Sequence, residues 1–145
     1  MLNLGLESLH VRMARHCENG QAVAEFLASH PKIAYVNYCG LPGDKYHAVA
    51  EKYLPNGSCG VVSFGVKGGR EAAAAFMGHL KIAAIETHVA DARTCCLHPA
   101  SSTHRQMNDE QLIAAGVQPD LVRMSCGLED KNDLIHDIAQ ALDQI

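Results

Sequence analysis

The chain has 145 residues, 48% hydrophobic and 19% charged, with a formal net charge of −4; its mean hydropathy is −0.05 and its pI about 6.1. A single domain of this size buries about two thirds of the surface its unfolded chain exposes, so a real core is attainable, and the composition excludes disordered and fibrous classes. The acidic balance argues against nucleic-acid and anionic-lipid partners. No run approaches the ~18 consecutive apolar residues of a membrane span, and "MLNLGLESLH" has no signal-peptide pattern, so a cytoplasmic protein is expected.

From Asn3 to about Ser29, Leu6, Leu9, Met13, Cys17, Ala24 and Leu27 recur at helical spacing, which predicts one long amphipathic helix. Pro31 ends it, and "KIAYVNYC" alternates as a first strand. "GLPGDK" is turn chemistry, "YHAVAEKYL" a short helix stopped by "PNG", and "CGVVSFGV" a buried strand. "REAAAAFMGHL" is helical by propensity, and "KIAAIETHV" and "TCCLH" read as two further strands. Asn108 with Gln111 forms a capping-box pattern, and Gly116 stands where a left-handed helix end belongs. "DLVRMSC" is a last strand, and Asp130 caps a final helix that turns Leu134, Ile135, Ile138 and Leu142 inward. The order αβαβαββαβα predicts one α+β domain over residues 1–145, a four- to five-stranded, mainly antiparallel sheet with helices packed mainly on one side.

Several motifs carry possible chemistry. Cys17, Cys39, Cys59, Cys95, Cys96 and Cys126 contain no C-x-x-C pair and read as reduced thiols. Cys95 and Cys96 are adjacent, so in a strand they point to opposite faces and do not share a metal. "GVKGGREAA" matches neither a GxGxxG nor a phosphate-loop pattern, which leaves a structural turn. The loop "LHPASSTHRQM" carries His98 and His104, but their spacing fits neither one helical nor one strand face, and Ser101 and Ser102 lack a nucleophile elbow. No metal site is therefore expected. Arg123 alternates with Val122 and Met124, so a guanidinium projects from a strand that is otherwise buried. A buried arginine requires an anionic partner, either an internal acid or a ligand carboxylate, and these residues alone leave both open. His88, in "ETHVAD", reads as a satisfied histidine near a strand end.

Four segments in order, "GLESLHVRMARHCENGQAVAEFLASHPKIAYVNYCGLP", "SFGVKGG", "THVADARTCCLHPASSTHRQM" and "GVQPDLVRMSCGLED", resemble the C-terminal domain of the pyridoxal-phosphate (PLP) enzymes of cysteine and methionine metabolism. The resemblance spans the whole chain. It is nearest to the O-acetylhomoserine sulfhydrylases, with methionine γ-lyases and cystathionine γ-synthases as relatives. It implies a fold-type I PLP enzyme, whose small domain is an antiparallel sheet covered by helices. In that family the arginine of the "RxSxGLED" stretch binds the substrate α-carboxylate, and the matching residue is Arg123. A second position that helps hold the carboxylate falls on His88, where relatives carry Ser or Asn, and Thr103 belongs to a loop lining the same region.

The resemblance also implies what lies elsewhere. The family joins PLP to a lysine of a large N-terminal domain, and none of the lysines at 32, 45, 52, 67, 81 and 131 stands in such a motif. The chain is thus expected to be a fragment or a split-gene product, with no catalytic or cofactor-binding residue of its own, in an enzyme that uses O-acetylhomoserine and sulfide or a thiol and assembles as the family's homotetramer. The alternative from another class is a free-standing, non-catalytic module that binds an amino acid or a partner enzyme.

Overall fold

A computed structural model describes residues 2–145. Eleven regular elements follow one another: α1 (Leu2–Glu7), α2 (Leu9–Ser29), β1 (Ile33–Asn37), α3 (His47–Tyr53), β2 (Val61–Val66), α4 (Gly69–His79), β3 (Ala84–Ile85), β4 (Cys95–Leu97), α5 (Asp109–Ala114), β5 (Leu121–Ser125) and α6 (Lys131–Asp143), with a single tight helical turn at Pro99–Ser101. The strands form one sheet in the order β1-β2-β5-β4-β3. Neighbours are antiparallel from β1 to β4, and β3 lies parallel to β4 at the edge. The predicted α+β class is what folds.

Strand periodicity sorts the sheet's two faces. Val62, Phe64, Val66, Val122, Met124 and Cys96 point into a core shared with Val23, Ala24 and Leu27 of α2, Ala73, Phe76 and Met77 of α4, and Leu134, Ile138 and Leu142 of α6. Phe64 and Phe76 meet edge to face at 5.8 Å, the arrangement aromatic quadrupoles favour. The alternate residues, among them Ser63, Arg123, Ser125, Cys95 and Leu97, lie in register across β2, β5 and β4 on the other face.

The first helix departs from expectation. It breaks at Ser8, and Leu6, Leu9 and Met13 are exposed rather than inward. The stripe that α2 buries is His16, Asn19, Gly20, Val23, Ala24 and Leu27, a helical period that hydropathy misses because it begins with two polar residues. Both are held: His16 Nδ1 donates to the Cys126 carbonyl at 2.7 Å, and Asn19 Nδ2 donates to the carbonyls of Gly127 and Glu129 at 2.9 and 2.8 Å. These bonds fasten α2 to the turn after β5.

Other local expectations hold. The Asn108–Gln111 capping box forms in both directions, and Asp130 accepts from the Asn132 amide. Gly68, Gly69 and Gly116 all have positive φ, which explains glycine at the ends of α4 and α5 as backbone requirement. The segment "KIAAIETHV" is mostly not strand. Its three leading amides, Lys81, Ile82 and Ala83, donate to the buried carboxylate of Asp137 on α6, so that side chain takes the place of a ladder partner. Among the described residues no helix is long and apolar enough to cross a membrane.

Candidate functional site

Arg123 sits at the middle of β5, paired in register with Ser63 on one side and Leu97 on the other. Its face of the sheet is crossed by a strap, residues 86–93. The strap is tied down along its length: Ala90 N donates to Ser125 Oγ at 3.0 Å, Leu128 N to the Ala92 carbonyl at 2.8 Å, and Arg123 Nη2 to the Thr87 carbonyl at 2.7 Å. Thr94 closes the end, its amide and hydroxyl both bonding the Glu129 carboxylate. Ala90 has a φ of 59°, a left-handed conformation unusual for a residue with a Cβ.

The guanidinium is only partly satisfied. Its Nε is buried without a hydrogen-bond partner, and none of the ion pairs among the described residues includes Arg123. The internal salt bridge that the sequence left open has therefore not formed. A planar cation held by one carbonyl, with a buried N–H unused, has the donor geometry to bind an anion that accepts through two oxygens.

His88 follows Thr87 on the strap and is largely exposed. Its Nδ1 lies 2.9 Å from Glu86 Oε2 and 3.8 Å from Asp91 Oδ2, while Glu86 Oε1 pairs with Arg93 at 3.1 Å. The amide of Arg93, above all, and then the charges of Arg93 and His88 hold the Asp91 carboxyl below the usual range. Thr103 is exposed on the turn after Pro99–Ser101, and its hydroxyl lies 2.9 Å from His104 Nδ1. The strap thus brings His88 next to the residue that touches Arg123; no hydrogen bond links Thr103 to either.

His98 is buried and fully occupied. Its Nε2 donates to the Pro119 carbonyl at 2.9 Å and its Nδ1 faces Ser101 Oγ at 2.9 Å, so it shapes the exit of β4 and has no nitrogen to offer a metal. The loop that follows is gripped by Arg70 of α4, which donates to the carbonyls of Ala100 and Met107 and pairs with Asp109. Two contributors to the site were not singled out in the sequence. Ser125 shares Arg123's face two residues on, a period-2 signal. Thr87 acts through its main-chain oxygen, which no side-chain pattern reveals.

Five of the six lysines are engaged by neighbours. Lys32 caps the carbonyls of Leu142 and Ile145, Lys67 that of Pro31, and Lys131 pairs with Glu18; Lys45 and Lys52 lie over the rings of Tyr46 and Tyr53. The larger concavities also lie away from Arg123: one of about 580 Å³ beside Cys17, Tyr38, Cys39 and His47, one of about 570 Å³ beside His10, Met13 and Tyr53, and one of about 550 Å³ beside Arg70 and Met107. Arg123 and its strap form one open wall.

Comparisons with known proteins give relatives over nearly the whole chain. The family model described as Cys/Met metabolism PLP-dependent enzyme matches residues 1–143. Homocysteine synthase of Schizosaccharomyces pombe is 45% identical over 143 residues, which cover 99% of this chain and 33% of that protein. O-acetyl-L-homoserine sulfhydrylase of Leptospira meyeri is 45% identical over 142 residues, 97% of this chain and 32% of the relative. An L-methionine gamma-lyase of Fusobacterium nucleatum subsp. polymorphum is 40% identical over 141 residues, 97% and 35% respectively. A crystal structure described as an O-acetylhomoserine (thiol)-lyase from Campylobacter jejuni, which contains N'-pyridoxyl-lysine-5'-monophosphate, superimposes with a TM-score of 0.88 at 38% identity, covering 97% of this chain and 33% of that one. The chain spans about a third of the length of the relatives it matches.

Proposed function

The chain belongs to the Cys/Met metabolism PLP-dependent enzyme family, and from that premise we propose that it is the substrate-carboxylate-binding part of a cytoplasmic O-acetylhomoserine sulfhydrylase. The observation that carries the reading is the half-satisfied guanidinium of Arg123, bonded to Thr87 on one side and unpaired at its buried Nε. An amino acid's α-carboxylate would complete it with two parallel charge-assisted bonds, worth on the order of 1.5–3 kcal/mol. Fixing the carboxylate fixes the bonds around Cα and Cγ relative to the reacting centre, which is where orientation lowers a barrier.

In this reading His88 stands beside the bound carboxylate on the strap, and Thr103 belongs to the outer rim. The PLP lysine is supplied by a large domain in the rest of the protein; PLP serves there as the electron sink for loss of acetate from Cγ and addition of sulfide or a thiol. The exposed Leu2, Leu4 and Leu6 of α1 are the seam toward that domain, because apolar patches of this kind mark interaction surfaces. The complete enzyme assembles as a homotetramer.

A γ-lyase is the second reading, favoured by the 40% identity to an L-methionine gamma-lyase. The two separate in one assay of the polypeptide that unites this segment with its PLP-lysine domain. Homocysteine formed from O-acetylhomoserine and sulfide is the expected product. Methanethiol released from methionine, without homocysteine synthesis, would assign the lyase instead.

A further inference from the structure

The same strap carries a second constellation. Glu86, His88 and Cys95 each offer one ligand atom, and these three atoms lie within 4.8 Å of one another. The topology produces this directly. In the parallel β3–β4 pair, Ala84 stands in register with Cys95, so Glu86 and His88, two and four residues on in a segment that continues past β3, fall on Cys95's side of the sheet. Cys96 points the other way, into the core, which is why the adjacent cysteines do not act together.

Two of the three donor atoms, His88 Nδ1 and Glu86 Oε2, face one another as an ion pair that a metal ion would replace once the imidazole is neutral. Arg93 engages Glu86 Oε1 at 3.1 Å and leaves Oε2, which is buried and has no hydrogen-bond partner. His88 Nδ1 lies 2.9 Å from that oxygen but is not aligned with it as a hydrogen bond. The Cys95 thiol makes only a long contact to the Arg93 carbonyl, 3.5 Å. One imidazole nitrogen, one carboxylate oxygen and one thiol on a partly shielded surface form a mixed N/O/S set, and the carboxylate of Asp91, 3.8 Å from the same nitrogen, adds negative potential.

We infer that Glu86, His88 and Cys95 bind one divalent transition-metal ion of the zinc class. Three protein ligands with an open fourth place suit zinc's tetrahedral preference, and the soft sulfur selects against magnesium and calcium. On binding, Cys95 S–H gives its proton to solvent and a metal–thiolate bond forms. The site stands on these three side chains and not on the role proposed for Arg123.

The test is anaerobic titration of the 145-residue chain with cobalt(II), followed by displacement with zinc. The expected result is one equivalent of cobalt, marked by a near-ultraviolet thiolate-to-cobalt charge-transfer band that zinc abolishes. Cys95→Ser removes the band, and His88→Ala and Glu86→Gln weaken binding by about tenfold or more. A variant with Cys17, Cys39 and Cys59 all replaced by Ser keeps the band. Circular dichroism establishes that each variant is folded. No band in the parent chain, or a band that survives Cys95→Ser, overturns the inference.

Discussion

Arg123 Nη2 donates to the main-chain oxygen of Thr87 at 2.7 Å, so the central strand and the strap that crosses it hold one another in place. The guanidinium is aimed by a contact that carries no charge and leaves its cationic character available. Everything proposed for the site follows from the strap keeping that position.

Gly127 lets the strap lie so low. A Cβ at this position would stand 2.5 Å from both the Ala92 oxygen and the Arg93 carbonyl carbon, a backbone collision that no rotamer relieves. Gly127→Ala is expected to cost about 1–3 kcal/mol through overpacking, a loss of very roughly 2–12 °C in melting temperature for a domain near this size. Differential scanning calorimetry checks it; an unchanged melting temperature would show that the strap yields freely.

Asp137 supplies the second test of the fold. Its carboxylate, 4% exposed, accepts the amides of Lys81, Ile82 and Ala83 at 2.8–3.1 Å. Asp137→Ala strands three amide donors at the approach to β3, with an expected loss of about 3 kcal/mol or more. Denaturant unfolding should show a lower midpoint at an unchanged slope.

His98 makes stability depend on pH. Burial, chiefly, depresses its pKa below the ordinary imidazole value. A group with a depressed basic pKa takes up its proton more readily in the unfolded chain, so the stability it allows is complete above about pH 6.5 and drains away as pH falls below that. Thermal melts from about pH 8 down to about pH 5 should therefore fall more steeply for the parent than for His98→Gln. Parallel slopes would contradict the assignment.

Much of this architecture was legible in the sequence, and the reasons it stopped being so are physical. The strands that became β1, β2 and β5 announce themselves by their apolar runs, the cap of α5 by Asn108 and Gln111, and its end by Gly116 at positive φ, and these held. The buried stripe of α2 escaped because it opens with His16 and Asn19, polar residues buried only because the turn after β5 offers them carbonyls. "KIAAIETHV" resembled a full strand, yet a side chain from a distant helix captured its amides. Arg123 stood out as a cation among apolar neighbours, but Thr87 contributes a carbonyl, which every residue possesses. The convergence of Glu86, His88 and Cys95 needs the parallel register of β3 with β4, a pairing no local pattern encodes.

The carboxylate-binding role proposed for Arg123 is tested most directly by steady-state kinetics of Arg123→Ala in the enzyme uniting this segment with its PLP-lysine domain. The expected result is a fall in kcat/KM for O-acetylhomoserine of roughly tenfold to a hundredfold, the loss of about 1.5–3 kcal/mol, carried largely by KM, with the KM for sulfide unchanged. An unaltered kcat/KM for O-acetylhomoserine would contradict it.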